Sequence, residues 1–303
     1  MYPAPHKGLD FFIAISKDSD TITYFMKNAE KVRETRSIPE KIQSSLRLGV
    51  AKIVLDILAK YEFTMDISPE SLVQLKKIDE YLKQGSIIVY ANHTTMLDAI
   101  LGIPVGISHL PHLRKAMYLL AEKYAIPNRR KKSSYAIAPL TQLVNALGVV
   151  VAPVPQRLSE QMDEKKKIQG KKRLEKYGNK RNKIMNRPGT AIGFTPEATR
   201  GETIEMTQFK DGIVKTALLF PDTLCCPMGL VPKGSNTFEL VVGEPKLASQ
   251  MTESIVDRIA LETDPALVKQ LLQECADQFG YEVAPLLPEN MRGVYGTGID
   301  AAK

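Results

Sequence analysis

The amino-acid sequence predicts an α/β protein with a mixed, largely parallel sheet flanked by helices and a small N-terminal helical bundle. Two observations lead to this fold class: an opening segment of helical periodicity, and a later segment in which short apolar runs alternate with helical ones. The chain has 303 residues, 44% hydrophobic and 25% charged, which is enough to bury a large core. We therefore expect an N-terminal helical region at 1–84 and an α/β domain at 85–303.

The N-terminal region contains three stretches with the spacing of amphipathic helices. Apolar residues recur at intervals of three and four over 22–32, 42–61 and 72–82. Ser68 followed by Pro69 is typical of a helix start, and it marks the beginning of the third helix. Three such helices in succession predict a bundle that packs against the domain that follows.

From residue 86 onward the apolar runs are short and are typical of strands in a buried sheet. These runs are 87–90, 117–120, 149–154, 191–195, 224–230 and 238–242. The helical patterns between and after them are 97–103, 140–147, 212–220, 252–261 and 265–279. The tail after Pro285 has neither pattern, and we expect it to be loosely structured.

The cysteines and the hydropathy pattern restrict the compartment. Cys225, Cys226 and Cys275 are too few for a disulfide framework, and we expect buried, inert thiols in a reducing environment. No apolar run reaches the roughly 20 residues that span a bilayer, and the first residues lack the pattern of a secretory signal. We expect a cytoplasmic or organelle-stromal protein, soluble or peripheral to a membrane.

The net charge of +7 is concentrated in one segment. Residues 165–187 carry eleven lysines and arginines against the single acid Glu175, within a predicted basic insertion at 157–188. Such a segment attracts anionic lipid head groups, phosphates or an acidic carrier protein; a solvated, partly helical loop is the alternative. Tyr177 is the only aromatic residue in it, which fits nucleic-acid recognition poorly, so we expect no nucleic-acid partner.

A candidate catalytic pair follows the first predicted strand of the α/β domain. His93 comes at the carboxyl end of this strand, where α/β proteins place reactive groups, and Asp98 lies five residues later. An aspartate that accepts a hydrogen bond from one imidazole nitrogen leaves the other nitrogen to take a proton. The spacing by itself is more often that of a structural hydrogen bond.

A candidate phosphate-binding turn follows the strand at 191–195. Glu197, Thr199 and Arg200 cluster in this turn, and Lys210 lies shortly before the next helix. An arginine with hydroxyl and backbone donors nearby suits bidentate recognition of phosphate. An ordinary capped turn with a Glu–Arg pair is the alternative.

Taken together, these segments resemble the glycerolipid acyltransferases, a family that includes lysophosphatidic acid and glycerol-3-phosphate acyltransferases. The family block Asn-His-x4-Asp is matched by Asn92, His93 and Asp98. The block Phe-Pro-Glu-Gly-Thr-Arg-Ser is similar to residues 195–201, and the Phe-Lys-x-Gly that follows it is similar to residues 209–212. A fourth block, an apolar strand with a proline, is similar to 224–230. The resemblance covers roughly residues 85–245.

Three departures from the family pattern affect the phosphate turn and the second block. Ala198 stands in place of the family's Gly, and Thr195 in place of its Phe. The second block is only loosely similar to residues 148–157: its acid is missing, and Arg157 lies further from the glycine than in the family.

The resemblance implies transfer of a fatty acyl group from acyl-CoA or acyl carrier protein, as co-substrate, to the sn-2 hydroxyl of lysophosphatidic acid. It implies His93 as general base and Asp98 as the residue that orients it. It also implies contacts with the glycerol phosphate of the acceptor from Glu197, Thr199, Arg200, Arg157 and Lys210. It implies no cofactor and no metal. The chain lacks a Gly-x-Ser-x-Gly elbow, so we expect direct transfer without an acyl-enzyme.

Two alternatives stay open at this point. The first is acylation of glycerol-3-phosphate at its sn-1 hydroxyl, because an N-terminal helical bundle joined to a soluble catalytic domain resembles the plastid-type glycerol-3-phosphate enzymes. The second, of another class, is a non-catalytic module that binds lipid or polyanions. A metal pair at His109 and His112 is disfavoured because Pro111 lies between them.

Overall fold

The computed structural model describes residues 49, 56, 64–93, 105–106, 108–121, 149–154, 164–197, 204–234 and 237–296. The strands are β1 (Thr64–Ile67), β2 (Ser86–Ala91), β3 (Lys115–Ala121), β4 (Val149–Val154), β5 (Thr190–Phe194), β6 (Leu224–Pro232), β7 (Thr237–Val242) and β8 (Lys246–Leu247). The helices within these ranges are α1 (Pro69–Leu82), α2 (Glu164–Met185), α3 (Gly212–Leu219), α4 (Ala248–Leu261) and α5 (Pro265–Val283).

The eight strands form one mixed sheet in the order β1-β7-β6-β2-β5-β3-β4, with β8 beside β6. Strand β6 runs antiparallel to β7 and β8, and the other pairs are parallel. The predicted α/β fold with a mixed, largely parallel sheet flanked by helices is therefore confirmed. The six strands predicted from apolar runs are all present.

The centre of the sheet is buried on both faces. Ile87 and Ile88, successive residues of β2, are 0% exposed and point to opposite faces. Ile87 belongs to an apolar cluster with Leu75 and Ile78 of α1. Ile88 belongs to a second cluster that includes residues of α2, α3, α4 and α5, among them Phe279. A strand covered on both faces has an uninterrupted apolar sequence, which is why β2 could be predicted.

The described end of the predicted N-terminal helical region, residues 64–84, joins the sheet of the α/β domain. Residues 64–67, which were expected to lie in a helical region, form β1 and pair in parallel with β7. Helix α1 starts at Pro69 with Ser68 as its N-cap, as predicted, but it packs on β2 and β7 of the same sheet. Strand β1 alternates polar and apolar residues, but four residues are too few for this alternation to indicate a strand, and its pairing partner β7 lies far away in sequence.

The predicted basic insertion at 157–188 contains helix α2, which belongs to the fold. A parallel pairing needs a crossover connection, and α2 lies between β4 and β5 and packs against β3, β4 and β5. Ile184 and Met185 at its end are 4% exposed, and the Thr190 hydroxyl donates to the Ile184 carbonyl at 2.9 Å. No helix in the described ranges is long and apolar enough to cross a bilayer.

The C-terminal tail, expected to be loosely structured, is ordered as far as residue 296. It forms three short 3-10 turns, Ala284–Leu286, Glu289–Met291 and Gly293–Tyr295. The backbone of Met206 donates to the Met291 carbonyl at 2.9 Å and accepts from the Val294 N–H at 3.3 Å. Tyr295 is 2% exposed. Because contacts distant in sequence order this tail, periodicity could not reveal it.

Several predicted helices lie outside the described residues. These are the patterns at 22–32, 97–103 and 140–147, and all of 42–61 except residues 49 and 56, which are both helical. The N-terminal bundle therefore stays a prediction.

Candidate active site

Two predicted site residues meet where β2 and β5 end. These strands are parallel neighbours, with Tyr90 opposite Phe194. Continued for three residues, the same register places His93 opposite Glu197. The backbone N–H of His93 donates to Glu197 Oε1 at 2.8 Å. The Asn-His segment and the Pro-Glu turn, 104 residues apart in sequence, are thus joined at the carboxyl edge of the sheet.

Asn92, the residue before His93, binds the end of β2 to β6, the neighbouring strand on the side away from β5. The Asn92 side chain is 1% exposed and bonds twice to Leu230 of β6: Nδ2 donates to the carbonyl at 3.1 Å, and Oδ1 accepts from the N–H at 2.8 Å. This amide continues the hydrogen bonding of β2 with β6 beyond the last residue of the strand. The backbone at His93 is consequently held from both neighbouring strands.

Glu197 is buried, and protein donors occupy both of its oxygens. Its residue is 2% exposed, and Oε2 accepts from the Thr207 N–H at 2.8 Å and from the Thr207 hydroxyl at 3.1 Å. Burial raises the pKa of Glu197, although the hydrogen bonds from Thr207 and His93 act in the opposite direction. The described contacts make Glu197 a link between the backbone of His93 and the segment at 204–211. Its predicted contact with an acceptor stays a prediction.

The segment at 204–211 also brings Lys210 to this edge. The Lys210 N–H donates to the Pro196 carbonyl at 2.9 Å, which places Lys210 beside the turn that carries Glu197. The Lys210 residue is exposed. The predicted contact of Lys210 with a phosphate stays a prediction.

Helix α5 and the C-terminal tail both form hydrogen bonds with the segment at 204–211. The Phe209 N–H donates to the Tyr295 hydroxyl at 2.8 Å, and the Phe209 carbonyl accepts from Gln273 Nε2 at 2.8 Å. The Tyr295 hydroxyl in turn donates to Asp277 Oδ1 at 3.0 Å, and burial raises the pKa of Tyr295. A chain of contacts therefore runs from Asp277 through Phe209 to the segment that carries Thr207.

Three residues in this arrangement were missed by sequence reasoning. Thr207 had a local signal, because it lies two residues before the Phe-Lys-x-Gly segment that starts at Phe209. Asp277 and Tyr295 had none, because the first reads as an ordinary polar position of a helix and the second lies in a tail without periodicity.

We expect Tyr295→Phe to lower the free energy of unfolding by about 1–3 kcal/mol, because it leaves the buried Phe209 N–H without its acceptor. Chemical denaturation of the purified chain measures the change. Tyr281→Phe is the matched control: the ring of Tyr281 also packs edge-on against Tyr295, at a centroid distance of 5.2 Å. Equal losses in the two variants would contradict a specific role for the Tyr295 hydroxyl.

Four predicted site residues lie outside the described residues: Asp98, Arg157, Thr199 and Arg200. The hydrogen bond predicted between Asp98 and the His93 imidazole therefore stays a prediction. The described residues contain a different His–Asp pair, at the opposite edge of the sheet. The ring atom Nδ1 of His112 lies 2.7 Å from Asp79 Oδ2, and the backbone N–H of His112 donates to Asp79 Oδ1 at 2.9 Å.

The cysteines are buried and reduced, as expected. Cys225, Cys226 and Cys275 are free thiols. Burial raises the pKa of each, that of Cys275 to about 11. Such thiols carry almost no thiolate at neutral pH and are poor nucleophiles.

Comparison with protein-family models and with curated proteins finds no match for this chain. A function for the site at the carboxyl ends of β2 and β5 is therefore inferred from its residues and from the order of the motifs in the sequence.

Proposed function

We propose that this chain is a glycerolipid O-acyltransferase, which transfers a fatty acyl group from acyl-CoA or acyl carrier protein to the sn-2 hydroxyl of lysophosphatidic acid. The observation that carries the proposal is the hydrogen bond between the His93 N–H and Glu197. It joins the two segments whose sequences resemble the acyltransferase blocks, at the sheet edge where α/β proteins place their reactive groups.

In the proposed reaction, the His93 imidazole takes the proton of the acceptor hydroxyl while the oxygen attacks the thioester carbonyl. The tetrahedral intermediate collapses with cleavage of the carbon–sulfur bond, and the proton passes from the imidazolium to the departing thiolate. General-base action of this kind contributes roughly 10²–10⁴-fold in rate. Asp98 orients the imidazole, and the reaction needs no redox partner.

The acceptor is held by its phosphate in this proposal. Arg200 and Arg157 supply guanidinium groups, Thr199 adds a hydroxyl, and Lys210 adds charge at the rim. Glu197 has a different task here from the other members of the set. A buried carboxylate repels a phosphate, so we assign it to positioning the backbone of His93 through its hydrogen bonds.

Direct transfer is preferred to a covalent acyl-enzyme on two grounds. The raised pKa values of the three buried cysteines make a thioester intermediate on this chain unfavourable. The sequence also has no nucleophile elbow. We place the activity in the cytoplasm or in an organelle stroma.

A panel of donors and acceptors on the purified full-length chain tests the proposal. We expect phosphatidic acid to form from lysophosphatidic acid and an acyl thioester, identified by thin-layer chromatography, together with release of one thiol per product. Faster acylation of glycerol-3-phosphate would move the assignment to the sn-1 reaction. Thiol release that no acceptor stimulates, with either donor, would overturn the enzyme assignment and leave a lipid- or polyanion-binding module.

A further inference from the structure

Helix α2 has a row of lysines on its outer face. Lys172, Lys176, Lys180 and Lys183 follow at intervals of four, four and three, so they lie along one side of the helix. All four residues are exposed. From the first to the last the row is about 16 Å long. The acid in this part of the helix, Glu175, is exposed beside it.

The side of α2 that faces the protein interior carries apolar residues and an arginine packed on aromatic rings, in contrast to the lysines of the outer face. Ile184 and Met185 are buried in the core. Arg181 turns toward aromatic rings, with its guanidinium carbon 5.6 Å from the centroid of Tyr177 and 5.8 Å from that of Phe220. The arginine thus serves packing within the molecule, whereas the lysines face outward.

A lysine at the start of a neighbouring strand lies near the row. Lys115, the first residue of β3, lies close enough to act on Lys180. Partial burial lowers the pKa of Lys180, and repulsion from Lys115 and Lys176 lowers it further. Clustered ammonium groups repel one another in the isolated protein, and an anionic surface laid against them relieves this repulsion.

The row ends in an apolar residue. Ile168 lies four residues before Lys172, on the same side of the helix, and is 52% exposed. Helix α2 leads from β4 back to β5, two parallel strands, so it runs opposite to them and starts at the carboxyl edge of the sheet. The Ile168 end of the row is therefore the end nearer to the edge that carries His93 and Glu197.

We infer that the α2 row, formed by Ile168, Lys172, Lys176, Lys180 and Lys183, is a docking surface for an anionic lipid bilayer. A straight line of lysines on a convex helix suits a flat array of head groups, because each ammonium acts as a point charge that needs no fixed partner geometry. An exposed isoleucine at the end of the row can enter the interface. The binding does not depend on the proposed catalysis.

Flotation of the full-length chain with lipid vesicles tests this inference. We expect binding to vesicles of phosphatidylcholine mixed with phosphatidylglycerol, no binding to pure phosphatidylcholine, and release at high salt. The variant with Lys172, Lys176, Lys180 and Lys183 all changed to Gln should lose roughly 600-fold in partitioning, since each of the four lysines near an anionic surface contributes about fivefold. Glutamine is a good helix former, so α2 should persist, which circular dichroism checks.

A matched variant separates the row from net charge. It changes four other exposed lysines to Gln, namely Lys76, Lys77, Lys83 and Lys269, and it should partition like the wild type. Equal losses in the two variants would overturn the inference, as would equal binding of the wild type to neutral and anionic vesicles. Row-dependent binding to an acidic acyl carrier protein without vesicle binding would assign the row to a protein partner instead. The flotation measurements contain no acyl donor. Absence of vesicle binding would therefore leave the proposed acyltransferase activity untouched, and absence of that activity would leave the vesicle binding untouched.

Discussion

His93→Ala should lower the rate of acceptor-dependent thiol release by about 10²–10⁴-fold while leaving the fold intact. The contact of His93 with Glu197 uses the backbone N–H, which alanine retains. Asn92 likewise holds the neighbouring chain through its own side chain. The substitution therefore removes the imidazole without removing the contacts that join β2, β5 and β6 at this edge.

A chromogenic thiol reagent measures the rate with acyl-CoA and lysophosphatidic acid, and thermal unfolding confirms that the variant is folded. His112→Ala is the matched control, because it removes another imidazole that bonds to an aspartate, at the opposite edge of the sheet. We expect it to keep wild-type activity. Equal acceptor-dependent rates for the wild type and His93→Ala would show that the base lies elsewhere.

The centre of the sheet could be predicted because β2, β5 and β6 are buried on both faces. The segments at 87–90 and 191–195 are continuous apolar runs, and their neighbours in the sheet explain why. Strand β1 escaped prediction because its alternation extends over only four residues, too few to distinguish an edge strand from a loop. The tail to Tyr295 escaped because Met206 and Phe209, some 85 residues earlier, order it.

The nature of the site residues was harder to predict than their location. Glu197 was found by its position after a strand, and its charge indicated contact with a ligand. Its carboxylate also accepts from Thr207 and from the backbone of His93, and no local pattern reveals these contacts. The packing of helix α2 on the sheet was hard to predict for a related reason: its many lysines conceal a short buried face around Ile184. Burial and pairing are properties of the fold, so charge alone does not separate a ligand-binding residue from a positioning one.

Glu197→Gln should damage both stability and activity. Glu197 accepts from backbone N–H groups at both oxygens, whereas a glutamine can accept at one end only and presents a donor at the other. We expect a loss of about 1–3 kcal/mol in the free energy of unfolding at neutral pH. If the proposed function holds, kcat should fall on the order of 100-fold with a smaller change in KM, because the backbone that carries His93 shifts.

Glu205→Gln is the control for these measurements, since Glu205 is an exposed carboxylate eight residues away. It should leave both stability and kcat close to wild type. A Glu197→Gln enzyme with unchanged kcat and unchanged unfolding would remove Glu197 from the positioning role.

The pH dependence of unfolding gives Glu197→Gln a second signature that does not depend on catalysis. Burial raises the pKa of Glu197 above its ordinary value of 4.5, so between these two pKa values the folded chain holds a proton that the unfolded chain has released. The stability that this proton contributes is fully present below pH 4.5 and is lost as the pH rises through the folded pKa.

Glutamine does not titrate, and the other titrating groups are shared by the wild type and the Glu197→Gln variant. The stability advantage of the wild type over the variant should therefore shrink as the pH rises from 4.5 toward neutrality. An advantage that grew over this range would mean that the folded pKa is lowered, so that hydrogen bonds from Thr207 and His93, rather than burial, dominate the energetics of this carboxylate.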